Sequence, residues 1–283
     1  MLKYFLTIFV FISNLSFAQV VLITGSSRGI GKETANLFFK NGYKVYAGVR
    51  SISNESQYEE ILMDIASHQS VEEAVRSIID REGKIDILIN NAGVGVYGPI
   101  ESVSLDQIKD VFDVNFFGSI RVMQTVLPFM RQRNQGTIIN VSSIAAKSPL
   151  PGFDSYNSSK AALESLSESM IGPLSLSNIR IHVVEPGPVN TSFISKVKAG
   201  VESDQFQFFN LKAIEFFKER VENGQNPEEV ARIIYSTAIN PQSKFRIATS
   251  SEVAQRIQSA CDDSDIVSSK KQSFMGLWNI LTK

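Results

Sequence analysis

The sequence predicts a single doubly wound α/β domain, a parallel sheet of about seven strands with helices on both faces. Three observations carry this prediction. Past residue 19, short apolar runs alternate with longer stretches of helical period, as repeated strand-helix-strand units require. Several of the short runs, such as Ile85-Asp86-Ile87-Leu88-Ile89, are nearly continuous in Val, Ile and Leu, which suits parallel strands covered on both sides. No internal repeat, low-complexity tract or Pro/Gly-rich linker interrupts the 283 residues, so 19–250 reads as one domain and 251–283 as a C-terminal extension.

The chain opens on residues 1–18, where Lys3 precedes the apolar run 4–12 and Ser16-Phe17-Ala18 stands before Gln19. A basic start, a short apolar stretch and small residues three and one positions before a cut are the anatomy of a secretory signal peptide. That stretch alone falls short of the ~20 residues that span a bilayer, and residues 19–23, which would lengthen it, belong to the first strand. The expectation is export or membrane association through the N-terminus, with a cytoplasmic protein as the alternative.

Strands are expected at 20–24, 43–48, 60–64, 85–90, 136–142, 179–185 and 244–248, with helices opening near Gly29, Ser70, Ser104 and Ser155. In the sixth strand His182 alternates with apolar neighbours, the place of a satisfied strand residue rather than of a ligand. Gly172-Pro173 falls within the helix that opens near Ser155. An interior proline costs about 3 kcal/mol by removing a hydrogen bond and clashing one turn back, so this helix should kink or end there. Residues 191–226 break the strand-helix rhythm. Their phenylalanines at 206, 208, 209, 216 and 217 suggest one or two amphipathic helices, with an apolar face that either packs as core or closes a pocket as a lid.

Composition excludes several classes. With 43% hydrophobic and 20% charged residues the chain is an ordinary folded one, not a disordered one. A net charge of -1 and no basic stripe leave nothing to hold nucleic acid. Cys261 has no cysteine to pair with, and His68 and His182 stand alone, so neither an internal disulfide nor a metal site is expected.

The strand 20–24 runs into Gly25-Ser26-Ser27-Arg28-Gly29-Ile30-Gly31 and then into a helix. Glycines permit a tight turn there and let backbone N–H groups approach a pyrophosphate at the positive end of the helix. The spacing differs from G-x-G-x-x-G, and as Thr-Gly-x-x-x-Gly-Ile-Gly it resembles the short-chain dehydrogenase/reductase family. Further motifs extend the resemblance, in the family's order, over nearly all of 19–250. They are Asp64-Ile65 after the third strand, Asn90-Asn91-Ala92-Gly93 after the fourth, Asn115 in Asp113-Val114-Asn115, Ser143 closing Ile139-Asn140-Val141-Ser142-Ser143, Tyr156-Asn157-Ser158-Ser159-Lys160, and Pro186-Gly187-Pro188-Val189-Asn190-Thr191. The surroundings of Tyr156 and the run from Pro186 to Phe193 look most similar to the branch acting on hydroxysteroids and retinoids.

The resemblance implies a Rossmann-type fold and a nicotinamide dinucleotide cofactor. It places Gly25, Ser27, Arg28, Gly29, Ile30 and Gly31 at the pyrophosphate loop, Asp64 and Ile65 at the adenine, and Asn91, Ala92 and Gly93 along the cofactor. Tyr156 and Lys160 would lie at the nicotinamide ribose, and Pro186, Gly187, Val189 and Thr191 at the carboxamide. It assigns catalysis to Ser143, bonded to the substrate oxygen, to Tyr156 as proton donor or acceptor, to Lys160 and to Asn115 in a proton relay. Family members commonly pair through the helix of Tyr156, which makes a homo-oligomer possible, although the break at Pro173 falls in that helix.

Charge discriminates between the two nicotinamide cofactors. NAD selection calls for Asp or Glu after the second strand, and a 2′-phosphate calls for a cation. Here the strand ends Ala47-Gly48-Val49-Arg50, and Arg28 offers a second fork-shaped donor, so NADP is expected over NAD.

Carbonyl reduction needs a hydride and a positioned acid. Tyr156 and Lys160, four apart on a helix, share a face. The lysine is expected to lower the phenol from its ordinary pKa of about 10. Ser143, thirteen residues before Tyr156 as in the family, is preferred to Ser142, which faces the opposite way along the strand. The expected reaction interconverts an alcohol and a carbonyl on a small apolar substrate. A 3-oxoacyl thioester reductase is the alternative among enzymes, and a cofactor-binding regulator without turnover is the alternative outside them.

Overall fold

The computed structural model describes residues 18–53, 55–200 and 204–262, with positions 272, 275, 276 and 279. Seven of the described strands form one parallel sheet: β1 (Val20–Thr24), β2 (Lys44–Val49), β3 (Glu59–Leu62), β4 (Ile87–Asn90), β5 (Gly136–Val141), β6 (Ile179–Glu185) and β7 (Arg246–Ala248). Their spatial order is β3-β2-β1-β4-β5-β6-β7. The order reverses between β1 and β4, the place where open α/β sheets bind ligands beyond the carboxyl ends of their strands.

Alternation along β1 builds both halves of the core. Val20 and Leu22 pack with Val71, Val75 and Ile78 of α2 (His68–Glu82) and with Val122 and Val126 of α4 (Ser119–Gln132). Val21 and Ile23 pack on the other side with Ala35 and Phe38 of α1 (Gly29–Lys40) and with Val230 and Ile234 of α8 (Pro227–Ile239). Each such side chain contributes about 1.5 to 3 kcal/mol on burial, which is why the run is apolar at every position up to Thr24. A buried carboxylate anchors the strand's start: Asp86 accepts the Val20 N–H (2.8 Å) and pairs with Arg133 (2.8 Å) and Lys84 (3.1 Å).

The helical layer holds more than the sequence pattern separated. Ser104 caps α3 (Leu105–Phe112) through a capping box with Gln107. The chain then passes through a π-helical turn, Asp113–Gly118, directly into α4, so two helices lie where one start had been expected. The helix of Tyr156, α5 (Asp154–Ser169), ends three residues before Gly172, and a short α6 (Ile171–Ser175) carries Pro173 in its first turn. The break expected at this proline is therefore a helix end, and the ring sits where its missing N–H has no intrahelical partner to lose. One helix, α7 (Asp204–Glu222), occupies the Phe-rich stretch; the side chains of Phe206, Phe208 and Phe209 lie outside the described residues. Helices α8 and α9 (Ser251–Asp262) were not anticipated.

β1 and β6 have the expected bounds, and the other five strands differ at one or both ends by one or two residues. The largest effect is at β3, which stops at Leu62 and leaves Asp64 in the following loop, where its carboxylate accepts the Ala66 N–H (3.1 Å). His182 is buried, its Nδ1 bonded to the Lys244 carbonyl (2.8 Å) and its Nε2 without a partner, so the expectation of a satisfied strand histidine holds for one ring nitrogen only. The leader-like segment lies outside the described residues up to position 17, and no helix among the described residues is long and apolar enough to cross a membrane.

Candidate active site

Three chain segments meet at the switch between β1 and β4. The loop after β1 turns through Gly25 and Gly29 at φ of +66° and +56°. A methyl group on Gly25 would stand 2.8 Å from the Ala92 Cα, and one on Gly31 would stand 2.4 Å from the Gly25 carbonyl and 2.5 Å from Asn91 Nδ2. The loop is thus pressed against the segment after β4. Asn91 secures it: the side chain donates to the carbonyls of Thr24 (2.9 Å) and Gly25 (3.1 Å), while the Thr24 hydroxyl accepts the N–H groups of Asn91 and Ala92. Asn91 therefore shapes the loop through its side chain.

What the loop presents is positive. Arg28 stands at the N-cap of α1 without a side-chain cap, and no acid occupies the first turn, so the N–H groups of Gly29, Ile30 and Gly31 face outward at the positive helix end. Ser27 and Arg28 are exposed. Arg50 follows β2, whose Gly48 lies beside Thr24 and accepts the Ser26 N–H (3.2 Å). Arg28 and Arg50 thus share one rim, and neither makes an ion pair with another described residue. The glycine turn and the free N–H groups of the helix start suit the pyrophosphate of a nicotinamide dinucleotide. Ile65 is buried against Gly118, and Thr191 covers Gly29, closing the loop 186–191 over the start of α1. Val189 is buried and bridged to Gln225, while Pro186 accepts the Ile144 N–H (2.8 Å).

The reactive group lies across the crevice. Three consecutive residues at the end of β5 are each bonded to one of three α5 residues spaced four apart. Ser143 bonds the phenol of Tyr156, Val141 accepts from Lys160 Nζ (2.9 Å), and Ser142 donates to Glu164 (2.7 Å). The spacing of four keeps Tyr156, Lys160 and Glu164 on one helix face. Ser143 and Ser142 thus have different partners, and only Ser143 is next to the phenol. Asn115, on the π-helical turn, is completely buried; its amide donates to the Val94 carbonyl (2.9 Å) and to Ser159 (3.0 Å), and its oxygen accepts the Val94 N–H (2.8 Å). It ties the segment after β4 to α5. Gly93 lies between, where a methyl group would sit 3.4 Å from the Asn115 oxygen and 3.6 Å from Lys160 Nζ.

The electrostatics correct one expectation. Burial pushes the Tyr156 phenol up, and the Ser143 hydrogen bond only opposes this. Lys160 had been expected to lower the phenol, but its Nζ lies 5.9 Å from the ring centroid and is spent on the Val141 carbonyl. Burial brings Lys160 itself down to about 8, and the charge of Glu164 pulls it back.

Sequence reasoning pointed to Phe217 as core or lid but missed Tyr97 and Phe153 in the apolar wall around the phenol. Tyr156 packs against Phe193 (5.5 Å between centroids) and Phe153 (6.3 Å), and Phe153 against Tyr97 (5.0 Å) and Phe217 of α7 (5.1 Å). A two-residue parallel ladder, Val96–Tyr97 with Lys198–Ala199, assembles this wall by joining segments a hundred residues apart, and neither segment carries a local strand signal. Beyond it, a cavity of about 560 Å³ opens among Gly187, Phe216, Arg220, Gln225, Val253 and Arg256.

Comparison with known proteins agrees with this geometry. Residues 19–202 match the family model described as short chain dehydrogenase. The chain is 33% identical over 234 residues to 3-ketodihydrosphingosine reductase of Bacteroides thetaiotaomicron, covering 81% of this chain and 86% of that one. It is 34% identical over 255 residues to human retinol dehydrogenase 8 (82% and 81% covered) and 31% identical over 271 residues to human 17-beta-hydroxysteroid dehydrogenase type 1 (86% and 81% covered). Among solved structures, a short-chain dehydrogenase from Streptomyces avermitilis superposes with a TM-score of 0.78 at 24% identity, over 94% of this chain and 98% of that one, a likeness of fold.

Proposed function

The chain belongs to the short-chain dehydrogenase/reductase family, and from that premise we propose that it is an NADP-preferring oxidoreductase that reduces the carbonyl of a small apolar lipid, sterol or retinoid, or oxidises the matching alcohol. One observation carries the substrate class: the reactive phenol of Tyr156 is itself part of an aromatic wall with Phe153, Phe193, Tyr97 and Phe217. An apolar molecule seated there would present its one polar oxygen to Ser143 and Tyr156, the polar groups at the edge of that wall. The relatives named for sphingoid, retinol and steroid chemistry support the same reading.

When bound, the nicotinamide supplies or takes the hydride. Ser143 donates to the substrate oxygen and orients it. Tyr156, whose phenol burial keeps protonated, delivers a proton to that oxygen as charge develops, which suits the direction of reduction. Lys160 is placed to hold the cofactor ribose and to replenish charge near the phenol, while Asn115 fixes the strand end and α5 relative to each other. The uncapped start of α1 would hold the pyrophosphate, and Arg28 and Arg50 would hold the 2′-phosphate.

The test is nicotinamide absorbance with the purified protein and a panel of apolar ketones, aldehydes and alcohols beside 3-oxoacyl thioesters and sugars. NADPH-dependent turnover on a long-chain or polycyclic ketone is expected; turnover confined to thioesters or sugars would overturn the substrate reading. We further propose that residues 1–18 direct the chain to the membrane or beyond, which their basic, apolar and small-residue pattern supports.

A further inference from the structure

The half-buried side chain of Arg256 on α9 lines the cavity of about 560 Å³ beyond the aromatic wall, and it makes no ion pair and no hydrogen bond to another described residue. Arg220 of α7 lines the same cavity and is likewise unpaired among the described residues. Its guanidinium lies 5.7 Å over the ring of Phe216, a stacking that leaves the N–H donors at its edge free. Glu219 and Glu252 also border the cavity, and both are exposed. Glu252 precedes Arg256 by one helical turn, yet neither carboxylate pairs with either arginine. The four charges cancel, so the cavity offers directed donors rather than a net field. Neutral polar groups of the lining are already spent. The Asn223 amide donates to the Glu219 carbonyl (3.0 Å), and the Gln225 amide donates to the Thr249 carbonyl (2.9 Å) while accepting from the Thr249 hydroxyl (2.5 Å). The floor is closely packed: the Gln225 N–H donates to the Pro188 carbonyl (2.9 Å), and a methyl group on Gly187 would stand 2.8 Å from Val253. A guanidinium taken partly out of water without an acceptor is costly, and an acidic ligand would supply one.

We propose that this cavity receives the acidic end of the substrate: Arg256 and Arg220 grip an oxyanion, a carboxylate or a phosphate, at the far end of an apolar chain whose carbonyl lies at Ser143 and Tyr156. This rests on the oxidoreductase reading for the carbonyl and goes beyond it for the remote end. A continuous row of rings joins the two places. Tyr156 touches Phe153 (6.3 Å between centroids), Phe153 touches Phe217 (5.1 Å), and Phe217 touches Phe216 (5.5 Å), over which Arg220 stacks. A chain laid along that row keeps its methylenes out of water and ends at the arginines. Two guanidiniums from different helices can each bond one oxyanion through paired N–H donors. Glu219 and Glu252 repel that group unless it sits between the two cations, which fixes its place.

Calorimetry on the full chain, below the micelle concentration of each probe, tests the grip without turnover. A fatty acid and an alkyl phosphate should each bind roughly ten- to a hundredfold more tightly than the primary alcohol of the same length. Arg220→Glu should remove most of that preference, and Arg256→Glu should turn it into a preference for the alkylammonium. Lys218→Glu, on the same helix but outside the cavity lining, should leave it unchanged. Kinetics tests the place. Among keto acids of rising chain length, a KM below that of the methyl-ended ketone should appear only once the chain can reach from Tyr156 to Arg256, with kcat near that of the ketone. Equal binding of acid and alcohol, tighter binding of the alkylammonium by the parent, or a preference for the acid that survives both arginine substitutions overturns the proposal. Where Arg256→Glu does not fold, the result for the exposed Arg220→Glu decides. Selective acid binding by a protein inactive on every carbonyl would sink the oxidoreductase reading alone, and turnover with no preference for the acid would sink the acid site alone.

Discussion

Tyr156 and Lys160 sit one turn apart, yet their substitutions should separate. Tyr156→Phe deletes the transferable proton and little else. Turnover should fall by roughly a hundred- to ten-thousandfold, the usual contribution of a positioned acid, with NADPH binding, followed by fluorescence, near the parent. Lys160→Ala should lose both, because its Nζ holds the Val141 carbonyl two residues before Ser143 and would hold the cofactor ribose. Comparable turnover in Tyr156→Phe and the parent would end this mechanism. Cofactor choice is a residue-scale matter too. NADPH should bind more tightly than NADH, and Arg50→Asp should erase or reverse the preference by removing a charge-assisted contact of about 1.5 to 3 kcal/mol, worth roughly ten- to a hundredfold in affinity. Equal affinity of the parent for both nucleotides would show that Arg28 and Arg50 do not form a phosphate site. These residue types and their spacing were legible in the chain itself. The direction of the Tyr156 titration was not, because it depends on how deeply the phenol is buried and on where the neighbouring ammonium points.

At the scale of elements, the glycine loop is held by packing between segments. Gly31→Ala puts a methyl group 2.4 Å from the Gly25 carbonyl and 2.5 Å from Asn91 Nδ2, so the loop must move away from the segment after β4. A loss of about 1 to 3 kcal/mol in urea unfolding is expected, the usual cost of overpacking, together with weakened dinucleotide binding; a variant as stable and as tight as the parent would contradict this. The sequence showed the glycines and the flanking strand and helix, since both periods are local. It did not show the π-helical turn that aims Asn115 at Val94 and Ser159, nor the ladder that brings Tyr97 to the wall of the site. Both arise from contacts between segments distant in the chain, which local pattern does not encode.

For the whole molecule, stability and the role of the N-terminus can be tested. The Glu185 carboxyl is raised in the folded state from its ordinary 4.5 to about 7. A raised folded pKa gives stability that is complete below the unfolded value and lost as pH rises through the folded one. Stability should therefore decline between about pH 4.5 and 7 through this group, by an amount on the order of 1 to 3 kcal/mol. Urea unfolding of the parent and Glu185→Gln at pH 5 and pH 8 should show the variant gaining on the parent at the higher pH; an equal difference at both would exclude the effect. Residues 19–283 should fold and bind NADPH without the first eighteen, because β1 begins at Val20 and is anchored by Asp86. Fractionation of cells with mass spectrometry of the N-terminus checks the targeting reading, which an intact Met1 on a wholly soluble cytoplasmic protein would refute. By itself the sequence determined the fold class, the order of the strands along the chain and the residue types of the reaction centre, since hydrophobic period, glycine spacing and the Tyr-x-x-x-Lys interval are properties of neighbours. Only the tertiary structure decided that the phenol is raised instead of lowered, that Tyr97 and Phe153 wall the site, and that Glu185 is buried with its carboxyl raised. The reason is that burial and charge at one point sum over β5, β6, β7 and α5, which meet only when the sheet is assembled.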